Sequence, residues 1–230
     1  MAREGPPRVA IVDYGMGNLF SVRLACEHAG LSAQCTSDPN EVRSADAIVL
    51  PGVGAFGDAM AFLRQAGLAD VIREEAGNGK PLLGVCLGLQ LLMTESCEQG
   101  RHRGLGIIPG SVVRFRDPSR GPERLKVPHV GWNRVWKVRP TDGEPADRDP
   151  WRGTLLEETP EGTYMYFVHS YHAVPEDRSV WASASHYGQI EFCSSLSAGR
   201  IFACQFHPER SGNTGLALYR RFAGFIASKP

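Results

Sequence analysis

Short, wholly apolar runs alternate with longer amphipathic stretches through the first ninety residues. Residues 8–14 (RVAIVDY) are rich in β-branched side chains and predict a buried strand. Gly15-Met16-Gly17-Asn18 follows as a turn, with Asn18 placed to cap a helix over 19–29 that Gly30 closes. Residues 31–36 predict a second strand, Asp38-Pro39 opens a short helical turn, and 47–50 predict a third strand. Two helices are expected over 58–66 and 68–76. A fourth buried run, 82–85, then passes into the helix-forming segment 89–93. Strand and helix alternating in this way predict an α/β fold, a mostly parallel central sheet with helices on both faces.

Beyond residue 93 the pattern changes. Runs at 107–108, 112–115, 133–138 and 164–168 are short, β-rich and separated by turn residues, which predicts an antiparallel extension at one edge of the sheet. Residues 181–184 and 190–194 continue that series, 201–205 (IFACQ) read as a last buried strand, and an amphipathic helix over 214–227 closes the chain. Residues 1–7 are expected to be a loose tail and 140–153 (PTDGEPADRDPWRG) a surface loop, leaving 8–230 as one domain.

Composition narrows the function classes. Twenty-five basic residues balance twenty-five acidic ones, so charge gives no case for nucleic acid or an anionic membrane as partner. The start lacks the apolar core of a signal peptide, and no run is long enough to span a bilayer. Six scattered cysteines form no C-x-x-C pair and no zinc-type spacing, which predicts reduced thiols in a cytoplasmic protein.

Chemistry concentrates at three places. Gly84-Val85-Cys86-Leu87-Gly88 has the spacing of a nucleophile elbow with a thiol in place of the hydroxyl, between a buried strand and a helix start. There helix N–H groups favour a thiolate and can stabilise an oxyanion. A buried structural cysteine is the competing reading. The third strand ends in Pro51-Gly52-Val53-Gly54-Ala55-Phe56-Gly57, which falls on the same sheet rim and matches neither common phosphate-loop spacing. The last strand runs into His207-Pro208-Glu209, a base and an orienting acceptor of the kind a cysteine nucleophile needs. His169 and His172 have no third ligand near them in sequence, so no metal is expected.

Gly84-Val85-Cys86-Leu87-Gly88-Leu89-Gln90, Pro51-Gly52-Val53-Gly54 and Gln205-Phe206-His207-Pro208-Glu209 together resemble the class I (triad) glutamine amidotransferases. Asp13-Tyr14-Gly15-Met16-Gly17-Asn18, Val127-Pro128-His129-Val130-Gly131-Trp132-Asn133 and Tyr166-Phe167-Val168-His169-Ser170-Tyr171 are similar, within that family, to the glutaminase subunits of imidazole glycerol phosphate synthases. The likeness runs from about residue 8 to about residue 227.

The resemblance implies a catalytic Cys86, His207 and Glu209, with an oxyanion held by N–H groups of Leu87 and the Gly52-Val53 region. It implies L-glutamine as substrate, held by Gly54, Gln90, Glu98 and the His169-Ser170-Tyr171 backbone, and no cofactor. It also implies a (β/α)8-barrel cyclase partner in a heterodimer, for histidine biosynthesis. Asn18, His129, Trp132, Tyr166 and Arg210 are the expected docking face, Arg210 standing where the family more often has lysine. Glycines flanking Val53 let its peptide rotate cheaply, so that either an N–H or a carbonyl can face the nucleophile. Two other readings keep the same fold: a triad glutaminase serving a different synthase, and a non-catalytic module.

Overall fold

The structure, a computed structural model, describes residues 5–138 and 149–228. The first half alternates as expected: β1 (Arg8–Val12), α1 (Leu19–His28), β2 (Ser32–Thr36), α2 (Pro39–Ser44), β3 (Ala47–Leu50), α3 (Phe56–Gln65), α4 (Leu68–Gly77) and β4 (Leu82–Val85). A short helix, α5 (Leu87–Leu91), leads into β5 (Met93–Ser96), β6 (His102–Arg103), β7 (Ile108–Arg114), β8 (Ser119–Arg120), β9 (Glu123–Arg124), β10 (His129–Arg134) and β11 (Trp136–Lys137). The last third holds β12 (Tyr164–His169), β13 (Tyr171–Pro175), β14 (Trp181–Tyr187), β15 (Ile190–Ala198), β16 (Ile201–Cys204) and α6 (Gly212–Ala227).

Eight strands form the central sheet in the order β11-β14-β15-β16-β4-β3-β1-β2. From β16 to β2 every neighbour is parallel, and β15, β14 and β11 extend that edge antiparallel. Alternation along β1 divides the core: Ala10 and Val12 pack on the face covered by α2, α3 and α4, whereas Val9 and Ile11 pack under α1 and α6. Local capping agrees with the residue types. Asn18 Oδ1 accepts from Ser21 N at 3.3 Å and Asp38 from Asn40 N at 2.8 Å, each satisfying an orphan donor at a helix start.

The structure corrects four expectations. The helix after β4 is Leu87–Leu91 rather than 89–93, because Cys86 itself takes the N-cap position and Met93 already begins β5. The runs expected at 107–108 and 112–115 merge into one continuous strand, β7, over 108–114, while 133–138 divides into the end of β10 and β11. The β-rich middle does not all join the main sheet. β13-β7-β5-β6 forms a four-stranded sheet of its own, and β10-β12 forms a two-stranded ribbon. Most of the expected 1–7 tail and 140–153 loop lies outside the described residues, but Trp151 at the loop's end is fully buried, with Nε1 donating to Ala182 O at 2.7 Å. An indole that large finds a partner for its N–H inside the core and so pins the end of that segment to β14.

Trp151→Ala removes this buried ring and leaves a cavity, at an expected cost of about 3–5 kcal/mol. Urea denaturation monitored by far-UV circular dichroism measures it, and a loss below about 1 kcal/mol would place the ring outside the cooperative core.

Candidate active site

Parallel pairing of β16 with β4 sets Cys204 opposite Val85, and β3 pairs Leu50 opposite Gly84. The residues just past these strand ends therefore meet on one rim: Pro51 and Gly52, Cys86, and Gln205 to His207. Cys86 has φ 54° and ψ −107°, a left-handed backbone that a non-glycine residue occupies at a cost of about 1–3 kcal/mol. Cys86 N donates to Cys204 O at 2.7 Å, which continues the β4–β16 ladder across the turn. Gly88 is required because a Cβ there would lie 1.7 Å from Leu50 O. Gly52 is required because a Cβ there would lie 1.6 Å from the Tyr14 hydroxyl, which donates to Pro51 O at 2.5 Å.

His207 Nδ1 and Glu209 Oε1 are 2.8 Å apart, with both side chains almost wholly buried. Accepting that bond, the carboxylate assigns the proton to Nδ1 and leaves Nε2 without a partner other than the thiol side. Burial opposes charge on His207. The Cys86 thiolate, by charge and hydrogen bond, and the Glu209 carboxylate overcome it and push the imidazole up to about 10. The expected nucleophile, base and orienter are thus brought together.

Beside them opens a cleft of about 270 Å³. Every lining residue except Pro128 and Val168 belongs to the set the sequence points to: Val53, Gly54, Cys86, Leu87, Gln90, Glu98, His169, Ser170 and Tyr171. Glu98 accepts from Phe56 N at 2.8 Å, so this carboxylate caps α3, which has no cap of its own, while facing the cleft. Gln90 Nε2 donates to Tyr171 O at 2.9 Å and to Gln205 Oε1 at 3.1 Å. Gln205 Nε2 lies 3.7 Å from Cys86 Sγ. The expected oxyanion donor at Leu87 is engaged: its N–H points to Gly52 O at 3.3 Å, so the carbonyl of the Gly52–Val53 peptide faces the site.

A buried polar chain supports this cleft from behind. His169 Nδ1 lies 2.8 Å from Tyr171 O, a pure acceptor, so Nδ1 carries the proton. His169 Nε2 then accepts from His129 Nδ1 at 3.2 Å, and His129 Nε2 accepts from Asn133 Nδ2 at 3.4 Å. Burial pushes the His129 imidazole down to about 4 and holds His169 well below its usual range, so both rings are neutral.

The expected docking residues divide. Asn18, Trp132 and Arg210 are exposed, Trp132 packs edge-on against Tyr166 at 6.0 Å, and the Arg210 guanidinium lies 4.4 Å from the Tyr166 ring. His129 is 4% exposed and stacks on Phe167 and Tyr187, so it packs inside instead of reaching that face. The alternation of β10 explains the difference, since Val130 and Trp132 point out and His129 points in. A small cavity of about 50 Å³ behind the Gly52 loop is lined by Asn18, Arg210 and His207 together, so it lies between this surface and the imidazole. Gln205, Tyr14 and Val168 went unassigned in the sequence. For Gln205 the available signal was a polar residue ending an apolar strand two positions before the histidine.

Residues 10–223 match the family described as Glutamine amidotransferase class-I. The chain is 45% identical over 218 residues to the imidazole glycerol phosphate synthase subunit HisH of Moorella thermoacetica, covering 95% of each protein. It is 46% identical over 216 residues to the HisH subunit of Geobacter sulfurreducens, covering 94% of this chain and 97% of that one. Among solved structures, PurLQS from Thermotoga maritima superposes with a TM-score of 0.71 at 19% identity, covering 96% of this chain and 99% of that chain, a likeness of fold.

Replacing Cys86 with alanine deletes the anion that charges His207 and leaves burial opposed by Glu209 alone. The ring's titration midpoint should fall in Cys86→Ala. Nitrogen-15 NMR of the imidazole reads it directly, and an unchanged midpoint would mean the two side chains do not interact.

Proposed function

The chain belongs to the class-I glutamine amidotransferases and, among them, to the HisH subunits of imidazole glycerol phosphate synthase, and from that membership we propose how its residues carry out the reaction. It is the glutaminase subunit of that synthase, in histidine biosynthesis. The observation that carries the residue assignment is the meeting of Cys86 with the His207–Glu209 pair at the mouth of a glutamine-sized cleft.

In this reading the Cys86 thiolate attacks the side-chain amide carbon of glutamine. His207 gives its proton to the departing nitrogen, and ammonia leaves a glutamyl thioester. The same imidazole then takes a proton from water, which hydrolyses the thioester to glutamate and regenerates the thiolate. Glu209 keeps the ring oriented and stabilises its cationic form. Glu98, Gln90 and the Ser170-Tyr171 backbone hold the main-chain end of the substrate.

Gly52 O now occupies the side of the site where negative charge would develop. Rotation of the single Gly52–Val53 peptide replaces that oxygen with Val53 N–H and frees Leu87 N–H, completing a two-donor oxyanion hole. One such donor is worth roughly 3–4 kcal/mol of barrier. Residues 8–230 act as one glutaminase domain, and a (β/α)8-barrel cyclase docks on Asn18, Trp132, Tyr166 and Arg210. Ammonia passes to it past the cavity behind the Gly52 loop, unprotonated because ammonium has no lone pair to donate. The six free cysteines suit the reducing cytoplasm, and no helix among the described residues is long and apolar enough to cross a membrane.

Cys86→Ala should abolish glutamate release, while the complex still forms product from added ammonium salts. His207→Asn should cost about 2–4 orders of magnitude in rate and Glu209→Gln clearly less, because only the histidine moves protons. Equal, small losses would reduce the His-Pro-Glu segment to a structural turn. A second expectation concerns the rotating peptide. The free chain should be a slow glutaminase that the liganded cyclase accelerates mainly in kcat, since the missing donor acts in the transition state. Steady-state kinetics of the free chain and the complex test this, and equal kcat values would remove the switch.

A further inference from the structure

Gln205 is fully buried, polar, and outside the machinery assigned so far. Its amide has two distinguishable ends, and its surroundings determine which end points where. Tyr171 O takes donors from both His169 Nδ1 and Gln90 Nε2. A carbonyl cannot face another carbonyl there, so Gln90 must present its NH₂ group. The second N–H of that group meets Gln205 Oε1 at 3.1 Å. Both N–H groups of Gln90 are then spent, and only its Oε1 remains for the cleft. By elimination Gln205 turns its own NH₂ toward Cys86 Sγ, at 3.7 Å. Strand pairing makes this contact unavoidable, because Val85 opposite Cys204 places Cys86 beside Gln205.

We propose that Gln205 is a further catalytic residue of the glutaminase site: its N–H donates to the Cys86 thiolate, and its oxygen locks Gln90 with an acceptor facing the substrate. The first half stabilises the nucleophile without supplying a charge that would have to move. The second half selects a donor on glutamine, so that a ligand presenting only an acceptor at that point is refused. The inference deepens the glutaminase reading and rests on it for the identity of the substrate.

The ionisable groups facing Cys86 are His207 on the turn after β16, Cys204 at the end of β16, and Tyr14 beyond β1. Burial first pushes both Cys204 and Tyr14 upward, followed by the charges of Glu209 and then Cys86 for Cys204 and by the Cys86 charge for Tyr14, so both stay neutral. Among the side chains of the described residues, His207 and Gln205 are therefore the ones placed to assist the thiolate.

The test uses the full-length chain with Gln205→Glu, which keeps the shape and the acceptor for Gln90 but has no N–H for the sulfur. Gln205→Met, which lacks both functions, serves as the second variant. The rate of Cys86 alkylation by iodoacetamide is followed against pH, and glutamine kinetics are measured with the cyclase bound. Both variants should move the alkylation profile to higher pH, by about one unit or more for the glutamate. Gln205→Met should raise KM for glutamine several-fold in addition to lowering kcat, whereas Gln205→Glu should affect kcat more than KM. Unchanged alkylation profiles in correctly folded variants would overturn the proposal, as would a KM that Gln205→Met leaves untouched. Alkylation needs no turnover, so a wild-type complex that released no glutamate would refute the glutaminase reading separately.

Discussion

Pairing of β16 beside β4 brings the chemistry of this chain together. Cys86 and His207 are far apart in sequence, Cys86 immediately beyond the end of β4 and His207 three residues beyond the end of β16. Neighbouring parallel strands finish on the same rim, so one ladder of backbone hydrogen bonds determines the spacing of the proposed nucleophile, its proposed base and Gln205 at once. The strained turn at Cys86 is affordable only because that ladder continues through Cys86 N to Cys204 O. Side chains then refine what the backbone has already aligned.

Electrostatics at the rim divide the labour. The His207–Glu209 pair concentrates a buried positive charge beside the sulfur, while the histidines behind the cleft are kept neutral by the same burial. Two imidazoles in similar surroundings take opposite states because one has a carboxylate and a thiolate as neighbours and the other has rings and amides. Neutral rings can pass a hydrogen-bond direction along without repelling the imidazolium nearby.

Much of this was legible in the sequence where the signal is local. The elbow, the Gly52-Val53-Gly54 loop and the His-Pro-Glu turn each declare themselves within a few residues, and the alternation of apolar runs declares the parallel sheet. Long-range pairings left no such mark. Glu98 capping a helix that starts at Phe56, Trp151 reaching a carbonyl on β14, and His129 facing inward all depend on which strands lie side by side. Periodicity could have hinted at His129, since it alternates with Val130 and Trp132. Gln205 stood inside a recognised motif, yet its purpose lies in the direction of an amide, which no residue spacing encodes.

Tyr14 carries a consequence for speed. Its hydroxyl grips Pro51 O from beneath the loop and fills the space over Gly52, so the base of the loop is anchored one residue before the peptide that is proposed to turn. So short a lever has little mass to move, and the hydrogen bond it must release, Leu87 N–H to Gly52 O at 3.3 Å, is a long one. Its rotation belongs with loop motions, on the order of nanoseconds to microseconds, and not with slow domain closures. In the proposed switch, a docked partner then acts as a weight on a rapidly sampled balance and not as a gate that turnover waits for. Spin-relaxation measurements at the Val53 amide distinguish the two regimes.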